Sequence, residues 1–284
     1  MKIEHLTISR IGKDHMVSED ASRVGESDDQ FVAAVVDGHG DPQYTPRICK
    51  FVAGIAEMLK EGRLDKSIRK NFPTLFAAID VVLEGRFGKV DTFGAVALCA
   101  AIDKLKGVVT FAYVGDCRAY QFDRLNPYAN VLLTDDHNAD NPKEAERIKP
   151  LCIPGGVAVI PWGKERSDGG KPLKLFVTKG RDSKVMDPTR GFGDYQFRPV
   201  YSQVPEVRQL TLDPNARTLF AICSDGGVPL VRGVFQHLRL NNIDLSRDDL
   251  LNIIQLMADL FFAKQPDDDA TAVFILVRPD SPTT

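Results

Sequence analysis

The stretch FVAAVVDGHG, residues 31–40, runs six apolar residues together and sets Asp37 directly against them. Such a run ending in Asp-Gly reads as a strand that meets a turn. A carboxylate joined to an apolar strand is held near the core, where an unpaired charge is costly and a divalent cation relieves it. Three more acids sit in the same way: Asp116 in FAYVGDCR (111–118), Asp225 in FAICSDGG (220–227) and Asp268 in PDDDATAVFILV (266–277). Any one of them also reads as ordinary Asp-Gly or Asp-turn chemistry. Four together read as one site for hard metal ions, assembled from distant parts of the chain.

Outward from these joints, the pattern is mostly β. KIEHLTISRIG, SEDASRVG and QFVAAVVDG predict an antiparallel sheet in the first 40 residues. Helical spacing follows, with Ile48, Val52, Ile55 and Leu59 on one face, then Phe72, Leu75, Phe76, Ile79 and Leu83 on a second segment. Strands return in FGAVALCAAI, GVVTFAYVG, RAYQF and NVLL, and NPKEAERI reads as a short helix with Pro142 in its first turn. Two strands near 205–212 and 218–224 precede helices near 229–240 and 248–262, and ATAVFILV is the last strand. With no internal repeat or low-complexity linker, 1–278 is expected to be one domain. Residues 161–188 form a polar, Gly- and Lys-containing insertion within it, open to motion or to a partner, and 279–284 a tail. The fold class expected is α+β: two packed antiparallel sheets with helix pairs on their outer faces, a four-layer sandwich.

The 284 residues carry 36 basic and 39 acidic side chains, a net charge of −3, which gives no broad attraction for nucleic acid or an anionic membrane. No segment has the length of a membrane span or the form of a signal peptide, so a cytoplasmic location is the expectation. The five cysteines show no C-x-x-C spacing and suit reduced, packed thiols.

In order, SEDA (18–21), DGHG (37–40), DTFGAVAL (91–98), YVGDCRA (113–119), LTDDHN (133–138), TRGFGD (189–194), SDGG (224–227) and DDAT (268–271) span nearly the whole chain. The series resembles the metal-dependent Ser/Thr protein phosphatases of type 2C. That resemblance implies the same sandwich fold and a centre of two Mn²⁺ or Mg²⁺ ions between the sheets. By motif, Asp37 matches the carboxylate shared by both ions and Gly38 the residue whose carbonyl faces one. Asp225 and Asp268 match ligands of one ion, Glu19 a ligand beside the other, and Asp20 the acid that holds associated water. Asp267 and Asp269 would then face elsewhere. A water activated between the ions would attack phosphorus in line, and His39 matches the residue that protonates the leaving oxygen. His137 also has a counterpart, read here as structural. Thr92, Gly94, Arg190 and Asp194 match landmarks read as scaffold.

Two departures bear on mechanism. Where the family commonly has a phosphate-gripping arginine, this chain has His15, with Lys13 two residues earlier and on the same side of an extended segment, so both become phosphate-binding candidates. Four residues after Asp225, where an acid often helps Asp116 hold a third metal, stands Pro229. A third ion is therefore in doubt. The implied partner is a phosphorylated protein, with a Ser/Thr kinase or its targets a further candidate; Lys164, Arg166, Lys171 and Lys174 of the 161–188 segment, which falls where the family has its flap, would face such a partner. The alternative is a catalytically impaired pseudophosphatase serving as a binding module. A Ca²⁺-binding β-sandwich would need clustered loop acids, whereas these are dispersed.

Overall fold

The computed structural model describes residues 1–54, 72–89, 93–122, 131–153, 156–165, 170–179 and 182–279. One sheet has five strands in the order β1 (Lys2–Arg10), β14 (Ala270–Arg278), β13 (Thr218–Cys223), β6 (Arg118–Gln121) and β7 (Val131–Leu132). The other runs β12 (Glu206–Thr211), β5 (Val108–Val114), β4 (Phe93–Asp103), β3 (Gln30–Gly40) and β2 (Ala21–Glu26), with the short β11 (Phe192–Gly193) added against β4. Neighbouring strands in both sheets are antiparallel.

The alternation of side chains along each strand builds the layers. In β3, Phe31, Ala33 and Val35 face Ile222, Val273 and Ile275 of the opposite sheet, while Val32, Ala34 and Val36 face outward. Outside them pack Ile48 and Val52 of α1 (Thr45–Ala53) and Leu75, Phe76, Ile79 and Leu83 of α2 (Phe72–Phe87). The five-stranded sheet does the same on its far side: Leu219, Ala221, Phe274 and Leu276 meet α4 (Val228–Leu240) and α5 (Leu250–Phe261). Burial on both faces explains why these central strands read as continuous apolar runs. The result is the four-layer α+β sandwich. Ile55, Leu59, Thr92 and Arg166 fall outside the described residues.

α3 (Pro142–Ile148) starts as read, with the Asn141 side chain accepting the Lys143 N–H and Pro142 at the first position. Part of the polar segment after it is folded: β8 (Ala158–Pro161), β9 (Leu173–Lys179) and β10 (Asp182–Met186) form a separate antiparallel sheet, with Leu175 and Val177 packed on Ile148 and Tyr201. All five cysteines are free thiols, four of them buried. No helix of the described residues is long and apolar enough to cross a membrane.

One buried carboxylate ties this region together. Glu144 accepts from Arg147 at 2.7 and 3.0 Å, from Arg190 at 2.5 and 3.0 Å, and from the Thr189 hydroxyl at 2.6 Å. Burial alone would raise its pKa, but the two guanidinium forks reverse that and bring it down to about 2. Glu144→Gln keeps the volume and leaves two half-buried cations short of their counter-charge. It is expected to lower the unfolding free energy by about 3–5 kcal/mol in urea titration at pH 7.

Candidate active site

Antiparallel register decides where the site lies. Cys223 at the end of β13 pairs with Ala272 at the start of β14, and Arg10 at the end of β1 pairs with Ala270. In the other sheet, Gly40 at the end of β3 pairs with Phe93 at the start of β4, and Ala97 near that start pairs with Val114 at the end of β5. Every acid that follows or precedes these strand ends is thus delivered to one end of its sheet. There a cavity of about 680 Å³ opens, lined by His15, Glu19, Asp37, Gly38, His39, Asp116, Asp225 and Asp268. Asp187 and Asp194 add two more carboxylates, and Ser183, Lys184, Val185 and Met186 of β10 form one wall.

Asp37 continues the inward parity of Phe31, Ala33 and Val35, which carries its carboxylate toward the seam between the sheets. Its pKa is pushed well up, first by burial and then by the charges of Asp20, Asp225, Asp116 and Asp268. Asp116, in the turn between β5 and β6, is raised to about 7 by burial and by Asp225. Asp20 is likewise raised to about 7, by burial, against a 2.7 Å hydrogen bond from the Ser224 hydroxyl. Glu19 and Asp225 are also raised by burial, Asp225 further by Asp268. Asp20 is buried and not among the lining residues. Gly38 leaves no space for a side chain: a Cβ there would run into Thr45 and Cys49 of α1 and come within 2.8 Å of the Glu19 carbonyl.

Asp269 does face elsewhere, as expected of a neighbour of Asp268, and its task is mechanical. One oxygen accepts the Gly12 N–H at 2.7 Å, the other the Glu19 N–H at 2.5 Å, and His15 Nδ1 lies 3.0 Å from the latter. A single carboxylate thereby clasps both ends of the 11–20 loop that crosses between the sheets. Its pKa is lowered despite burial because those donors hold the charge. Residues 12–15 form a turn closed by His15 N–H to the Gly12 carbonyl at 3.1 Å, not an extended segment, so Lys13 and His15 part company. His15 reaches the cavity, whereas Lys13 is not among its lining residues and pairs with exposed Asp267 at 2.6 Å. Among the described lining residues the one lysine is Lys184, which sequence reasoning missed because nothing local ties β10 to the acids.

His39 Nε2 lies 2.6 Å from Asp194 Oδ2. Burial would lower the imidazole pKa, yet the Asp194 charge and hydrogen bond raise it overall. His137, in contrast, is enclosed: its Nδ1 accepts the Gly115 N–H at 3.1 Å, its ring stacks on Tyr113, and burial brings its pKa down to about 4. Pro229 occupies the first turn of α4, where its missing N–H breaks no helical bond.

The protein phosphatase 2C family model matches residues 8–227. This chain belongs to the protein phosphatase 2C family. It is 26% identical over 238 residues to the probable protein phosphatase 2C 2 of Paramecium tetraurelia, covering 76% of this chain and 67% of that protein. It is 25% identical over 201 residues to the protein phosphatase fem-2 of Caenorhabditis elegans, covering 68% of this chain but 38% of the relative. Among solved structures, a C. elegans sex determining protein superposes with a TM-score of 0.66 at 20% identity, over 98% of this chain and 66% of that one. The serine-threonine phosphatase 2C of Toxoplasma gondii gives 0.63 at 19% identity, over 97% and 95%. This protein phosphatase 2C chain therefore shares the family sandwich throughout, while spanning well under half of fem-2.

The family is associated with Mg²⁺ or Mn²⁺, and the carboxylate oxygens gathered here, with their raised pKa values, fit such ions. Among the described residues, no three His, Cys, Asp or Glu side chains converge as a preformed cage, so the fit rests on donor chemistry and charge. The raised carboxylates fix a sign. An acid that binds its proton near pH 7 when folded, but at 3.8 when unfolded, stabilises the fold on acidification and loses that contribution as pH rises through 7. Metal-free protein should therefore melt higher at pH 6 than at pH 8. At pH 8, Asp116→Asn should raise its stability by on the order of 2 kcal/mol, read by thermal and urea unfolding.

Proposed function

We propose that this protein phosphatase 2C domain hydrolyses phosphoserine and phosphothreonine esters in proteins, and that it does so with two divalent cations. The observation that carries the reading is the gathering of Glu19, Asp37, Asp116, Asp225 and Asp268, from five separate segments, around one cavity with His39 at its rim. Asp37 and the Gly38 carbonyl would hold the ions together with Asp225, Asp268 and Glu19, and Asp20 would order associated water. When bound, Mn²⁺ or Mg²⁺ supplies the positive charge that activates a water molecule and neutralises phosphoryl oxygens.

The chain's own residues do the rest. His15, 3.0 Å from Asp269, and Lys184 of β10 bring cationic groups to a cavity rich in carboxylates, where a phosphate would need them. His39 gives a proton to the departing serine or threonine oxygen, an alkoxide too basic to leave unprotonated. The β8–β10 sheet, which contributes Ser183 to Met186 to the cavity wall, places the flanking residues of a phosphorylated partner, a kinase or its targets included. Asp116 has no acid at position 229 to help it, so a third ion has less to hold it.

Phosphate release from a phosphothreonine peptide, with Mn²⁺, Mg²⁺ or EDTA, tests the reading. Turnover should require the metal and fall by at least about 10²-fold in both Asp37→Asn and Asp225→Asn. Folded wild-type protein that binds Mn²⁺ without turning over would instead favour the impaired, binding-module form of the same fold.

A further inference from the structure

Asp194 belongs to the TRGFGD turn, where a glycine-aspartate pair reads as scaffold. Its surroundings show a side chain held in place at some conformational expense. Asp194 adopts left-handed backbone angles, φ 47° and ψ 44°, unusual for a residue with a Cβ. Both flanks are anchored. On one side Thr189 and Arg190 are bound to buried Glu144, and on the other the Arg198 guanidinium pairs with Asp80 at 2.9 Å. The Asp194 N–H donates to the Phe93 carbonyl at 3.2 Å, and its carbonyl accepts the Phe197 N–H at 2.9 Å.

The strand opposite is cut to match. His39 pairs in register with Gly94, and a Cβ at Gly94 would overlap Asp194 Oδ2 and come within 2.6 Å of His39 Nε2. Gly94 therefore leaves the space in which the carboxylate and the imidazole meet. Asp194 is 4% exposed, so water competes little for this bond.

We propose that Asp194 is a positioning residue that selects which nitrogen of His39 serves the reaction. A carboxylate only accepts, so Nε2 keeps its hydrogen for Asp194, and Nδ1 is the nitrogen that protonates the leaving oxygen. The inference rests on the hydrolase reading above. In the step, the phosphorus–oxygen bond to the substrate side chain breaks as a bond to the water oxygen forms. The leaving oxygen takes the proton from His39 Nδ1, and the proton given up by the water restores the imidazolium.

The test compares a phosphothreonine peptide, whose leaving oxygen needs a proton, with p-nitrophenyl phosphate, whose leaving group departs as a stabilised anion. With saturating Mn²⁺, Asp194→Asn should lower kcat on the peptide by about 10²-fold with little change in KM, and by at least tenfold more than on the aryl ester. His39→Gln should show the same selectivity, and the double variant should be no slower than His39→Gln alone. Equal losses on both esters, or additive losses in the double variant, would make Asp194 a structural residue and overturn the proposal. A wild-type enzyme inactive on both esters would sink the hydrolase reading. The nitrogen assignment is still decided then by ¹⁵N-edited imidazole spectra of the metal-free protein, with His39 assigned through His39→Gln. A proton on Nε2 that is lost or redistributed in Asp194→Asn supports the proposal, and a wild-type ring bearing its only proton on Nδ1 refutes it.

Discussion

Carboxylates that repel one another are forced together at the end of this sandwich because the strands that carry them cannot end anywhere else. Asp37 is held by a β3 strand buried on both faces, and Asp225 and Asp268 by the ends of β13 and β14, the central pair of the facing sheet. None can retreat without dismantling hydrophobic layers whose burial is worth roughly 25 cal/mol per Å². The core thus supplies the energy that keeps the charges close, and their protonation is shifted upward as a consequence. A fold that stores repulsion in this way favours any divalent cation that relieves it.

The supporting interactions are arranged around the same constraint. Asp269 spends its charge on backbone N–H groups and so can sit beside Asp268 without adding to the load. Glu144, with two arginines, holds the segment that leads to Asp194, and Asp194 in turn fixes His39. Each of these acids has a lowered pKa or a firm partner, whereas Asp37, Asp116 and Asp225 at the cavity have their pKa values raised. Structural and functional carboxylates are distinguished by their partners, not by their burial.

Much of this was legible from sequence. Strands such as FVAAVVDGHG and ATAVFILV announced themselves by apolar runs, and the acids at their ends marked the cavity because strand ends in antiparallel sheets coincide. The clasp by Asp269 was not legible, since three consecutive aspartates give no local sign of which one turns inward. Lys184 escapes sequence reasoning, and Asp194 reads only as scaffold, for a related reason. Their importance comes from a small separate sheet and from a turn 155 residues away from His39, neither of which leaves a periodic trace. The pairing of Lys13 with His15 failed because the segment turns where extension was assumed.

The most direct measurement counts Mn²⁺ ions bound per chain by equilibrium dialysis, in wild type and in Asp37→Asn. The account predicts two ions on the wild type and at most one on the variant, since Asp37 would be the carboxylate that serves both ions. Stoichiometric binding unchanged in Asp37→Asn, or no binding to a folded wild-type chain, would contradict it.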